Sequence, residues 1–257
     1  MRQLSAFLRK EGMEFIRTGK IWILLIIFIL FGIMNPAIAK LTPWMVETMS
    51  DSLAESGMVL TEVKVNAMTS WNQFYKNISM ALIIFALMLS GILTTEYQKG
   101  TLVNMLTKGL VRWKVVGAKA IASIGLWTVC YWLCYGITYG YNMYFWDNSI
   151  ASHVAFAALC VYLLGIWVML LILLISTLLK SASGVLAVTG VAVIASYVAG
   201  MFGKIGEYLP IRLLSAGNLL AGSMSPEDFW KAIAVAFASG VAFFILSVAC
   251  FNRKNIG

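Results

Sequence analysis

Six long apolar stretches, at about residues 21–39, 77–95, 115–146, 152–179, 182–203 and 230–251, decide what this chain can fold into. Each approaches or exceeds the ~20 residues a helix needs to cross the ~30 Å hydrocarbon layer of a bilayer. Hydrocarbon offers backbone amides no partner, so each stretch must be helical or sheltered inside a bundle. A soluble core has no use for a chain that is 61% hydrophobic and only 12% charged. The expected fold is an all-α membrane protein, a single six-span domain over 1–257 with little chain left for a soluble domain.

The net charge of +8 is unevenly placed. With 1–20, 96–119, 180–183 and 252–257 on the inner side, the inner segments hold thirteen Lys and Arg and three acids, against six and eight outside. That bias puts both termini in the cytoplasm. The basic balance then reflects orientation and contact with anionic lipid heads, and no nucleic-acid partner is expected. Cys130, Cys134, Cys160 and Cys250 all lie in apolar spans without a histidine or a paired Cys-x-x-Cys, and read as small buried hydrophobes with no metal. Ala37-Ile38-Ala39 after the first apolar run loosely imitates a cleaved signal, but that run is long for the role and five spans follow it.

Residues 1–20 read as an amphipathic elbow helix, with Leu4, Phe7, Leu8, Phe15 and Ile16 as a lipid-facing stripe and Arg2, Arg9, Lys10 and Arg17 on the polar side; the plainer alternative is a basic flank. In the outer segment 40–76, Thr42-Pro43 is a fair helix start, and an interfacial helix carrying Trp44, Met45, Met49, Leu53, Leu60, Met68 and Trp71 fits the pattern. Span three is overlong and carries Trp127, Tyr131, Tyr135, Thr138 and Asn142 on one helical face. That stripe either lines a route for amphipathic cargo or packs, below an outer belt of Tyr141, Tyr144 and Trp146. Gly136 and Gly140 form a G-x-x-x-G close-packing signature. Small residues repeat at Ala192, Ser196 and Gly200, at Ala195, Ala199 and Gly203, and at Ala232, Ala236 and Gly240, which points to close helix contact within or between subunits. Residues 204–224 are apolar but broken by Gly206, Pro210, Gly217 and Gly222, as suits two short re-entrant segments rather than a seventh span. Ser225-Pro226-Glu227-Asp228 is a clean helix start.

The chain has no phosphate-binding G-x-x-x-x-G-K-[ST], no H-E-x-x-H and no G-x-S-x-G, and its one histidine, His153, sits at the mouth of span four; catalysis on this chain is not expected. Apart from Lys119, which can snorkel at the inner edge, and Lys231 at the outer end of the last, the spans carry no Asp, Glu, Lys or Arg. Ion-coupled carriers usually bury such groups, so energy must come from elsewhere, or the protein is passive.

The sharpest local signal is the inner loop after span two, Glu96-Tyr97-Gln98-Lys99-Gly100-Thr101-Leu102 through Arg112. Gly100 punctuates the chain, Thr101 can cap a short helix over 102–107, Leu102, Met105 and Leu106 share its apolar face, and Gly109 stops it. Held between two spans, such a helix is a lever for a soluble partner.

Glu-x-x-x-Gly-Thr-Leu, then Leu-Thr, Arg112 and a distal Lys119 resembles the signature of type 2 ATP-binding-cassette (ABC) transporter permeases, and the tail Phe251-Asn252-Arg253-Lys254-Asn255-Ile256 resembles that family's ending. The likeness covers the whole topology; Gly109 stands where many members carry proline. The resemblance implies an exporter membrane subunit in a bacterial plasma membrane, paired with a second permease copy, identical or a paralogue. Each permease would dock one ABC ATPase, and that partner would bind the ATP and Mg. It further implies that 96–112 is the coupling helix, with Glu96, Gly100, Thr101, Leu102, Met105, Leu106 and Arg112 as coupling residues. Aromatic and Met-rich spans suit an amphipathic peptide or antimicrobial-type cargo. The rival readings are an ion-coupled carrier or channel and a non-transporting scaffold.

Overall fold

The computed structural model describes residues 2–54, 65–102, 107, 109 and 111–254. Among them the chain is helical, with no strand, and six helices are long and apolar enough to cross a membrane. Leu60, Met105, Leu106 and the Asn255-Ile256 end of the tail lie outside the described residues.

The first helix, α1 (Arg2–Arg17), is amphipathic as expected, but its apolar stripe faces protein. Phe7 and Phe15 are buried, and between them sits a buried Glu11, while Met13 and Ile16 are exposed. The lipid-facing assignment of Phe7 and Phe15 is thereby corrected: α1 packs its stripe onto the bundle, mainly against the third span.

The helix α2 runs unbroken over Lys20–Ala54, with Pro36 and Pro43 inside it. Thr42-Pro43 is therefore not a helix start, and no separate interfacial helix begins there; Thr42 Oγ1 instead donates back to Ile38 O at 2.8 Å. A proline in mid-helix removes one N–H and orphans the carbonyl four residues earlier. For Pro36 that carbonyl is Gly32 O; Thr138 Oγ1 of the third span lies 3.1 Å from it and 3.0 Å from Cys134 O, so its one proton is shared between the two carbonyls. Asn35 Nδ2 donates to the same hydroxyl at 2.9 Å, and Asn77 Nδ2 donates to Asn35 Oδ1 at 2.7 Å. This polar trio ties the proline site to two neighbouring helices and keeps α2 continuous there.

The next helix, α3 (Ala67–Leu89), begins ten residues before the apolar run at 77, because Asn66 caps it by accepting from Thr69 N at 3.3 Å. Its first turns bury Ala67, Ser70, Trp71 and Phe74. The chain then turns at 90–93 and resumes as the short α4 (Thr94–Gln98), so span two ends in a bend that apolarity alone does not reveal. The third span, α5 (Arg112–Phe145), is about 51 Å long at ~1.5 Å per residue. Next come α6 (Val154–Leu178) and α7 (Ala182–Gly200), the latter capped by Ser181. Two 3-10 segments, Gly203–Glu207 and Pro210–Leu219, fill the interrupted region. Ser225 starts the last element: its N–H donates to Asp228 Oδ2 at 2.9 Å, and helix follows as Pro226–Phe229 and α8 (Trp230–Arg253).

The core is aromatic and lies between α2, α3, α5 and α6. Phe28, Trp71, Phe74, Phe85, Trp127 and Tyr131 are fully buried and meet mostly edge to face, the geometry that ring quadrupoles favour. The Trp127 indole lies over Gly165, where an added Cβ would come within 2.2 Å of ring carbons. Helices α2 and α5 cross closely at Gly32, whose added Cβ would lie 3.1 Å from Cys134 O. Gly136 and Gly140, by contrast, have nothing within 4 Å of that position, so the G-x-x-x-G pair is not the contact that packs α5. The Ala232, Ala236, Gly240 stripe is buried against α6, whereas Ala192, Ser196 and Gly200 of α7 are only half-buried.

Candidate functional site

The first helix, the end of the last helix and the described residues of the loop 96–112 gather at one end of the bundle, where nearly all the internal ion pairs among the described residues lie. Glu96 is the first residue of the loop motif and is buried, like Glu11 of α1 and Lys119 of α5. Lys119 Nζ sits 3.0 Å from both Glu11 oxygens and 3.1 Å from Glu96 Oε2. Lys10 Nζ pairs with Glu96, with Glu11 at 3.0 Å and with Glu14 at 2.7 Å. The Phe7 ring lies 5.1 Å from Lys10 Nζ and 5.8 Å from Lys119 Nζ, close enough for its face to add to the cations' stabilisation.

Lys119 therefore does not snorkel, as the sequence suggested; it stays inside and is neutralised by two carboxylates. Removing one partner from such a buried pair strands a charge and costs about 3–5 kcal/mol. Partial burial disfavours the Lys10 ammonium, but its bonds to Glu14 and Glu96 outweigh that and hold its pKa above the usual lysine range. Partial burial likewise pushes Glu14 up, and the Lys10 hydrogen bond more than reverses it, leaving its carboxyl below the usual carboxylate range. One oxygen each of Glu11, Glu14 and Glu96 lie within 4.8 Å of one another, an arrangement that can hold a metal ion in principle. Lys10 and Lys119 already supply the cations there.

The rest of the loop is fastened at several points. Gly100 has φ +64°, a left-handed conformation that suits glycine, and nothing approaches its Cβ position. Thr101 and Leu102 are helical, and Leu102 is fully buried within the chain, so it anchors the loop and is not an exposed knob. Gln98 Nε2 donates to Lys180 O at 3.3 Å, just past α6. Gly109 O accepts from Gln3 Nε2 at 3.4 Å, and Lys114 Nζ donates to Gln3 Oε1 at 2.8 Å. Arg112 Nη1 donates to the carbonyls of Phe251, Asn252 and Lys254 at 3.1, 2.8 and 2.9 Å, capping the last helix. Lys254 in turn donates to Thr177 O at 2.6 Å and lies 4.3 Å from the Tyr97 ring. Burial and neighbouring Lys180 lower the Lys254 pKa. The two motifs that carried the resemblance, loop and tail, thus touch each other.

The polar-aromatic stripe of α5 is placed differently from a route. Trp127, Tyr131, Thr138 and Asn142 are fully buried inside the single chain, and Tyr135 is half-buried against Trp71 and Tyr139. Trp127 Nε1 donates to Tyr162 O at 3.1 Å and Tyr131 OH to Ala158 O at 2.6 Å, so both are tied to α6. The Asn142 amide is buried without a hydrogen-bond partner among the described residues. A cavity of about 690 Å³ lies elsewhere. It is an apolar groove between α5, α6 and α8, lined by Trp113, Ile121, Trp167 and Phe237 among others.

Sequence reasoning missed Glu11, Glu14 and Gln3 as site members. The available signal was Lys119 itself, since a lysine within an apolar span demands a partner. The missing step was to seek that partner in the first helix, where Glu11 and Glu14 are the only acids before the first span.

No curated protein matches this chain. The family model described as ABC-2 family transporter protein matches residues 6–256, nearly the whole chain. With that match and six apolar helices, the chain belongs to the ABC-2 family of transporter proteins and is the membrane permease subunit of an ABC transporter, working with an ABC ATPase.

Proposed function

We propose that this permease is an exporter in a bacterial plasma membrane, with both termini cytoplasmic and the loop 96–112 as its coupling element. Two copies pair, each docks one ATPase that binds ATP and Mg, and closure of the ATPases pushes on the loop to reshape the interface between permeases. The cargo is amphipathic or hydrophobic, an amphipathic peptide or antimicrobial-type compound. The open apolar groove between α5, α6 and α8 supports an apolar cargo or one with an apolar face.

The observation that carries this reading is the fastening of the loop. Through Glu96, Gln98, Gly109 and Arg112 it is bonded to α1 and α5, to the end of α6 and to the end of α8. A push there is delivered to several helices at once. The test is Gly100→Leu, which forces a branched side chain into left-handed backbone at a position whose Cβ meets nothing within 4 Å among the described residues. In proteoliposomes with the cognate ATPase, the variant should insert and still bind the ATPase, while permease-stimulated hydrolysis falls about tenfold, the size of effect a lost coupling energy of ~1–2 kcal/mol produces. Wild-type stimulation and transport by this variant, or by a chain lacking 102–106, would show that the loop is not the lever.

A further inference from the structure

We infer that α1 is part of the force-transmitting machinery, locked as one rigid body to the two ends of the loop, at 96–102 and 109–112, by Glu11 and Lys119 acting as positioning residues. This rests on the export reading above. A surface anchor would need only an apolar stripe and basic headgroup contacts. The helix has more: it spends its buried face on a carboxylate, Glu11, both of whose oxygens lie 3.0 Å from Lys119 Nζ.

The arrangement fixes α1 to the loop at two separated points. At the loop's start, Lys10 pairs with Glu96, and Lys119 bridges Glu11 and Glu96 across α1, α4 and α5. At its far end, Gln3 bonds Gly109 O and is held by Lys114 Nζ. Gln3 and Lys10 are two turns apart, about 10 Å along the helix. A rod bonded at two such points cannot pivot on one of them, so it follows the loop. The geometry also reassigns Glu96: one oxygen is paired with Lys10 and the other with Lys119, and the side chain is buried, so it acts inward on the elbow and not on the ATPase. Separating the charges would leave Lys119 unpaired in a dry site, which keeps the body intact through a cycle.

The test uses the full chain with its ATPase in lipid nanodiscs, with single cysteines for spin labels at the exposed positions Met13, Lys99 and Val191 and the four native cysteines replaced. The Met13–Lys99 distance should stay constant between nucleotide-free and ATP-vanadate states, while both move relative to Val191. Lys119→Met should broaden the Met13–Lys99 distribution and reduce permease-stimulated hydrolysis about fivefold with the ATPase still bound, and Glu11→Gln should do the same more mildly. Lys119→Arg, which keeps a cation between Glu11 and Glu96, should retain a large part of both signals, which a loss of fold would not allow. A Met13–Lys99 distance that changes with nucleotide, or wild-type hydrolysis by Lys119→Met, overturns the rigid-body inference and leaves the export reading standing. A wild-type chain that binds no ATPase defeats the export reading, and this inference with it.

Discussion

Helices α6 and α7 follow one another with only 179–181 between them, and both are apolar enough to cross a membrane. Their fates differ. Helix α6 buries most of its circumference, all but a stripe through Leu159, Leu163, Ile166, Leu170 and Leu174, and Trp127 and Tyr131 bond to its carbonyls. Helix α7 buries only Val185 and Thr189, and leaves Val191 and Ile194 67% and 64% exposed. Hydropathy reports whether a helix can sit in lipid; it does not report whether its neighbours are lipid tails or other helices. In a bilayer α6 is a central post and α7 a peripheral one, whose outer face is free for lipid or for a second subunit.

The sharpest way to break this comparison is a matched pair of glycine substitutions. Gly165→Ala in α6 puts a methyl group 2.2 Å from Trp127 ring carbons, and the overpacking should cost about 1–3 kcal/mol. Gly190→Ala in α7 meets nothing within 4 Å and should cost nothing, or stabilise slightly through helix propensity. Thermal unfolding in detergent measures both; equal stability of the two variants would remove the distinction. A smaller effect belongs to Thr138→Val, which withdraws the hydroxyl that serves Gly32 O and Asn35. The expected loss is about 1 kcal/mol, since buried polar bonds in membrane helices are individually modest. No polar substitution among Thr189 and Ser196 in α7 should match it, because their hydroxyls donate only to carbonyls one turn back in the same helix.

The smallest effect is one of pH. The Glu14 carboxyl is held below its unfolded value by Lys10, so its contribution to docking α1 is complete above about pH 4.5 and is lost as pH falls through the lowered folded value. Lys10 is raised, so its share is complete below about pH 10.5 and fades only as pH rises beyond that. Amide exchange along α1 should therefore be flat through the neutral range and rise in acid. Helix α7 has no Asp, Glu, Lys, Arg or His between 182 and 200, and its exchange should show no such acid limb beyond the intrinsic one.

Much of the scaffold was legible from residues alone. The all-helical, six-span architecture follows from run length and apolarity, and the start of the last span from Ser225, Pro226 and Asp228. Local rules failed where distant groups intervened. Thr42-Pro43 has the marks of a helix start, yet α2 passes through it, its upstream proline site supported by Thr138, some hundred positions away. Span two looks continuous to Thr95, yet the chain turns at 90–93. Of the loop residues, Glu96, Gly100 and Arg112 stood out by motif, but nothing local says that Glu96 faces Lys10 or that Arg112 caps the chain's own last helix.

By itself, then, the sequence determined what each segment must become: burial of backbone amides in hydrocarbon forces helices, and the lengths and apolarity of the runs are written locally. Only the tertiary structure decided who meets whom. The pairing of Glu11 with Lys119 joins residues 108 positions apart. The choice between lipid and protein for α6 and α7 is likewise a property of neighbours. Charges buried away from water must find partners wherever the fold brings them, and helix periodicity carries no address for a partner on another helix.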